Sequence, residues 1–103
     1  MFIELEGLLL SHPSVSDAAV IGLDKDHTEI PRAYIVVAPG IRPSPDTANE
    51  IMKWMDSRVS HYKRLRGGII FIDQIPKSAT RKILRRVLKD TIKHEQAIDR
   101  PRL

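Results

Sequence analysis

At 103 residues, with 42% hydrophobic and 29% charged side chains, the chain is long enough for one domain with a modest core and too short to enclose a multi-substrate active site by itself. No apolar run approaches the roughly 20 residues that span a bilayer, and the absence of cysteine excludes disulfides, thiolate metal sites and thiol nucleophiles. The formal net charge of +4 favours an anionic partner, but much of the excess lies between Lys77 and Arg102, so a local basic patch describes it better than a general field.

Ile3 to Ser11 carries Leu5, Leu8 and Leu9 at helical spacing, and His12-Pro13 stops it. Val15 to Leu23 and Ala33 to Val37 are apolar, β-branched and alanine-rich stretches that predict two neighbouring strands, with Asp24 to Pro31 as the loop between them. Pro39-Gly40 and Pro43-Ser44-Pro45 mark a surface connection, after which Ile51, Met52, Met55 and Val59 form one face of a helix starting at Pro45. Gly67-Gly68 opens the apolar run Ile69 to Ile72, which reads as a buried central strand ended by Asp73. Ile83, Leu84, Val87, Leu88 and Ile92 supply the stripe of a last helix, capped by Ser78 or Thr80, with Arg85, Arg86, Lys89 and Lys93 mostly on its other side. The tail from 95 to 103 is polar enough to fray. The sum is a single α+β domain, a small mixed β-sheet covered by about three helices.

The segment Pro76-Lys77-Ser78-Ala79-Thr80-Arg81-Lys82-Ile83-Leu84-Arg85 delivers a lysine from a loop of small polar residues to the start of that helix. A helix N-terminus with a mobile ammonium beside it suits a phosphate, although the Gly-x-x-x-x-Gly-Lys-Ser/Thr pattern of a P-loop is absent. By charge alone, Lys77, Arg81, Lys82, Arg85 and Arg86 could equally form a solvated basic face.

The same segment closely resembles the P-K-[ST]-x-x-G-K-[IL]-x-R signature that closes the C-terminal domain of adenylate-forming (AMP-binding) enzymes of the acyl- and aryl-CoA synthetase type, including 4-coumarate-CoA ligase-like proteins. Ile3-Glu4-Leu5-Glu6-Gly7-Leu8-Leu9 resembles the family's ELE-x-LL helix, and His12-Pro13-Ser14-Val15-Ser16-Asp17-Ala18-Ala19-Val20-Ile21-Gly22 its HP-x-V-x-DAAV-x-G segment. Glu29 to Val36, Tyr62 to Gly68 and Ile70 to Pro76 agree as well, so the resemblance runs from about residue 3 to residue 89 in the family's order. It begins just past the hinge, so the chain looks like the small C-terminal lid alone, with the large N-terminal domain and hinge missing, and inactive in isolation.

The resemblance implies an ATP-dependent ligase that converts a carboxylate to an acyl-adenylate and then transfers the acyl group to coenzyme A. ATP and magnesium would be held mainly by the N-terminal domain, the principal partner. Lys82 corresponds to the motif lysine that reaches the substrate carboxylate and the α-phosphate and is the implied catalytic residue. Lys77 and Arg81 become substrate-binding candidates, and Tyr62, Lys63, Arg64, Arg66, Gly67 and Gly68 candidates for the coenzyme A face. One departure is Arg81, which stands where the family has glycine; a side chain forced into a left-handed conformation costs about 1–2 kcal/mol. Either the loop avoids that conformation or Lys82 is presented less well, and weakened or altered adenylation is expected, with a second cation from Arg81 as the converse.

The remaining residues point to little chemistry. His12, His27, His61 and His94 lack ligand-spaced partners, so no metal site is expected, and Trp54 reads as a packing or domain-contact residue. Two alternatives stand beside this reading: a lid of the same fold serving a carrier-protein phosphopantetheine arm, and a nucleic-acid-binding module that would use the basic helix. The second lacks an RNP-type aromatic strand. With no cleavable signal visible at Met1 an intracellular, cytoplasmic location is expected, without a membrane partner; Pro101-Arg102-Leu103 gives only weak support for peroxisomal import.

Overall fold

A computed structural model of the chain describes residues 3–25, 28–59, 64–80 and 82–90. The opening segment forms α1 (Ile3–Leu10), in which Leu5 and Leu9, one turn apart, are buried while Ile3 and Leu10 face outward. Ser11 and His12 donate backbone hydrogen bonds to Leu8 and Leu9, which satisfies carbonyls at the end of the helix just before Pro13.

The strands β1 (Val15–Lys25) and β2 (Thr28–Val37) pair as an antiparallel hairpin, with Val20 opposite Ala33 and Lys25 opposite Thr28. The polar stretch 24–31, expected as a loop, is therefore almost entirely strand. Pro31 is tolerated inside β2 because its carbonyl, and so its missing N–H, faces the side on which Gly67 approaches, ahead of the first β3 partner. A parallel neighbour needs a crossover, and α2 (Pro45–Asp56) supplies it. Ser44 caps this helix by accepting from Thr47 N at 3.2 Å, Pro45 follows in the first turn, and Asp46 faces the positive end of the helix dipole.

The chain returns as β3 (Ile69–Phe71), parallel to β2, giving the order β1-β2-β3. Among the described strands β2 is central and β3 lies at an edge, which corrects the expectation that Ile69 to Ile72 forms the centre. That run is nevertheless wholly apolar because both faces of the sheet are covered. Ala18, Val20, Ala33, Ile35 and Ile69 pack under α1 and α2 with Ile51, Met52 and Met55; the alternate residues Ala19, Ile21, Tyr34 and Ile70 pack with Ile75 and Leu88 of α3 (Arg85–Asp90). Alternation along each strand assigns the two cores. The result is the anticipated small mixed sheet with three helices.

Gly67 and Gly68 are required by this packing. Gly67 N donates to Pro31 O at 2.8 Å, Arg32 Nε donates to Gly67 O at 2.9 Å, and a β-carbon at Gly67 would stand 2.8 Å from the Pro31 carbonyl oxygen. Gly68 has φ of 84°, a conformation that favours glycine.

Trp54 is half-buried at the end of α2. His12 meets it edge to face at 4.9 Å, and the Arg58 guanidinium lies over its ring at 4.1 Å. Burial pushes the His12 imidazole below its ordinary pKa, with Arg58 acting in the same direction and Glu50 opposing; its Nδ1 accepts from Ser14 N at 3.0 Å. Because the folded state disfavours the charged ring, the unfolded chain takes up the proton first. Stability is therefore expected to be full above about pH 6.5 and to fall as the pH drops through the lower folded pKa. His12→Asn keeps an acceptor for Ser14, so comparing its melting temperature with that of the native chain at pH 7.5 and 5.5 should show a smaller acid-induced decrease.

Candidate functional site

The described residues between Ile75 and Leu84 form the two limbs of a short hairpin, not the beginning of a helix. Lys77 and Ile83 form an antiparallel bridge, Ser78 N donates to Lys82 O at 2.9 Å, and Leu84 N donates to Pro76 O at 2.8 Å. Ser78 Oγ accepts from Lys82 N at 3.2 Å and lies 2.9 Å from Thr80 Oγ1. The small hydroxyl side chains thus bond inside the loop, a known competitor of helix formation, and Ile83 packs into the second core while Leu84 points outward. The helix begins at Arg85, three residues after Lys82. Neither Ser78 nor Thr80 caps it, and Lys82 does not sit at a helix N-terminus as expected.

Both limbs of the hairpin are tied to β1. On the outgoing limb Lys77 Nζ contacts Asp17 Oδ2 at 2.7 Å. Beyond the return limb, Arg85 Nη2 lies 2.7 Å from each Glu6 carboxylate oxygen, and Arg85 Nε donates to Val20 O at 3.3 Å. Arg85, expected on the solvent side, therefore turns inward. Leu88 fills the core below, and Tyr34 Oη donates to its carbonyl at 3.4 Å. Lys82 itself is exposed, and among the described residues its ammonium has no hydrogen-bond or ion-pair partner. A fixed backbone therefore presents an uncommitted cation. Pairing of Lys77 and Arg85 also removes two charges from the solvated basic face that nucleic-acid binding would use.

Of the other candidates, the described residues Arg64, Arg66, Gly67 and Gly68 lie apart from this hairpin. The turn from Arg64 to Gly68 enters β3, whereas the hairpin is anchored at the free edge of β1, on the other side of β2. Arg66 is exposed; Arg64 is half-buried with Nε 3.8 Å from Asp56 Oδ1. Gly67 and Gly68 are buried against β2 and shape the turn. Tyr62, Lys63 and Arg81 lie outside the described residues, as do His27, His61, His94, Ile92, Lys93 and the tail 95–103. The sequence reading missed Asp17, Glu6 and the Val20 backbone as supports of the lysine hairpin. Glu6 carried a signal, a carboxylate beside Leu5 on the buried side of α1. Among the described residues no helix is long and apolar enough to cross a membrane.

The family model of the AMP-binding enzyme C-terminal domain matches residues 4–82. The chain is 43% identical over 90 residues to the 4-coumarate–CoA ligase-like 1 protein of Arabidopsis thaliana, covering 86% of this chain and 16% of that protein. Its fold is similar to that of the Brucella canis acyl-CoA synthetase, with a TM-score of 0.80 and 33% identity over 91% of this chain and 18% of that one. It is also similar to a benzoate CoA ligase from Burkholderia xenovorans LB400, with a TM-score of 0.76 and 36% identity over 84% of this chain and 17% of that one. The chain spans about one sixth of the length of the curated relatives it matches.

Proposed function

Because the chain belongs to the family of AMP-binding enzyme C-terminal domains, we propose that it is the mobile lid of an ATP-dependent acyl- or aryl-CoA ligase and that Lys82 is its catalytic residue. The observation that carries this reading is the exposed Lys82 ammonium, without a partner among the described residues, on a hairpin tied down at both ends. In the adenylation step a carboxylate oxygen attacks the α-phosphorus of ATP and pyrophosphate leaves. Two anions must approach, and negative charge shifts onto the phosphoryl oxygens; an ammonium between carboxylate and α-phosphate offsets both costs. Magnesium and most ATP contacts belong to the large domain, and no residue of this chain is assigned to the metal.

For the thioester step, Arg66 with Tyr62, Lys63 and Arg64 would face the coenzyme A phosphates, to which cationic side chains give charge-assisted hydrogen bonds. Gly67 and Gly68 would act by holding that turn against β2. Among the described candidates, Arg64 and Arg66 precede β3 on one side of β2, and Lys82 is carried by a hairpin anchored to β1 on the other, which supports a lid that presents one surface to each half-reaction. Lys77, paired with Asp17, serves the hairpin more directly than the substrate.

Arg81 takes the place of the motif glycine, and Arg81→Gly is expected to raise the adenylation rate by about 5- to 30-fold, the equivalent of the about 1–2 kcal/mol that a side chain costs where a left-handed conformation is called for; single-turnover formation of acyl-adenylate measures it. The proposed function is tested by joining this chain to the large domain of the Burkholderia benzoate CoA ligase, with that enzyme's own C-terminal domain rejoined at the same junction as the control. Benzoyl-CoA formation is expected from both fusions and not from the large domain alone. An inactive fusion beside an active control would contradict the assignment.

A further inference from the structure

The geometry points to Arg85 as a positioning residue for Lys82, acting through a junction with Glu6 and the edge of β1; this inference rests on the role proposed for Lys82. Val20 has both its N–H and its carbonyl directed away from β2, at the free edge of the sheet. Glu6 Oε2 accepts from Val20 N at 2.7 Å, Arg85 Nε donates to Val20 O at 3.3 Å, and Arg85 Nη2 closes the triangle with contacts of 2.7 Å to both Glu6 oxygens. Among the described residues no strand pairs with this edge, and the two side chains satisfy its polar groups.

Burial distinguishes this junction from an ordinary surface pair. The Glu6 side chain is 9% exposed and that of Arg85 31%, whereas the Lys77–Asp17 pair is 35% and 30% exposed. Exposed pairs hold geometry weakly; a carboxylate packed under α1 that also accepts a backbone N–H fixes the guanidinium fork. Only Ile83 and Leu84 separate Lys82 from Arg85, and the Leu84 N–H is already committed to Pro76 O. The return limb that carries Lys82 is consequently bound to α1 and β1 on one side and to the outgoing limb on the other. Without Arg85 its position relative to the sheet depends on the hairpin's own bonds, on the packing of Ile75 and Ile83, which leaves polar register unfixed, and on the exposed Lys77 pair. A reacting group displaced by about 1 Å can lose up to about a hundredfold in rate, so the junction places the ammonium without touching substrate.

The test uses the benzoate ligase fusion, with Arg85→Gln and Arg85→Lys each made in the Lys82 and Lys82→Ala backgrounds. Thermal melting is measured first, followed by single-turnover adenylation and by thioester formation from synthetic acyl-adenylate. Arg85→Gln is expected to lower adenylation by about tenfold when Lys82 is present, with less than about a twofold further loss in Lys82→Ala. Transfer from the preformed adenylate should stay within about twofold, and Arg85→Lys, which keeps the charge but not the fork, should fall between native and Arg85→Gln. Should Arg85→Gln fail to fold, Arg85→Lys carries the same comparison. Equal losses in both backgrounds, or equal losses in both half-reactions, would show a structural role alone and overturn the inference. A large Lys82→Ala effect with no Arg85 effect would overturn it while leaving the role of Lys82 standing; adenylation unchanged in Lys82→Ala would overturn both.

Discussion

Replacing Lys82 by alanine is expected to lower acyl-adenylate formation by about 10²–10³-fold, the loss measured when a preorganised electrostatic donor is removed from an active site, equivalent to about 3–4 kcal/mol. The size follows from desolvation. On the isolated chain Lys82 stands in water and its charge is screened; covered by the large domain, the same ammonium would act at a few ångströms on a carboxylate and a phosphate with little water between. Thioester formation from a supplied acyl-adenylate should change by no more than a few-fold, because in that half-reaction the lid would present its other surface. Single-turnover assays of the two steps separate these outcomes. Equal losses in both would mean that Lys82 supports the lid as a whole and not the first step.

Glu6→Ala should have the largest effect on stability, a loss of about 3 kcal/mol read from urea unfolding. Three interactions go together: the acceptor for Val20 N, the partner of Arg85, and the packing of a side chain buried beneath α1. An unsatisfied buried donor alone costs about 1–3 kcal/mol, and breaking a fully buried ion pair about 3–5 kcal/mol; Arg85 is only partly buried, so its share is well below that of a fully buried pair and the total stays near about 3 kcal/mol. For a domain whose total stability is of the order of 5–15 kcal/mol this is a substantial fraction. Glu6→Gln keeps an oxygen for Val20 and should lose roughly half as much. A loss below about 1 kcal/mol in Glu6→Ala would mean that water replaces the carboxylate at the β1 edge.

Elements whose faces differ in polarity were legible in the sequence. Leu5 and Leu9 mark α1, Ser44-Pro45 followed by Ile51, Met52 and Met55 marks α2, and the alternating residues of β1 and β2 mark a sheet covered on both faces. The end of the β1–β2 hairpin where Lys25 pairs with Thr28 was not, because Asp24 to Glu29 is polar in sequence and strand pairing there leaves little hydrophobic pattern. The place of β3 at an edge depends on a parallel pairing between residues more than thirty apart, which an apolar run does not encode.

The lysine hairpin misled for a different reason. Ile83, Leu84, Val87 and Leu88 have helical spacing, yet Ile83 lies in a β-bridge, Leu84 precedes the helix and only the later pair is helical, so one apolar pattern spans two conformations. Long-range charge partners lie beyond any local pattern: Arg85 and Glu6 are 79 residues apart, and Lys77 and Asp17 are 60 apart. The family was legible because the motif residues Pro76, Lys77, Ser78, Lys82, Ile83 and Arg85 stand in order in the sequence. Their division of labour was not, since pairing ties Lys77 and Arg85 down and leaves Lys82 exposed.

The most direct test of the lid assignment is to add this chain in trans to the separately purified large domain of the Burkholderia ligase, with ATP, magnesium, benzoate and coenzyme A, and to quantify benzoyl-CoA by mass spectrometry. Thioester that rises with the concentration of the chain and disappears when Lys82→Ala is added instead is the expected result. Thioester that rises equally with the chain and with its Lys82→Ala variant would contradict the central role given to Lys82.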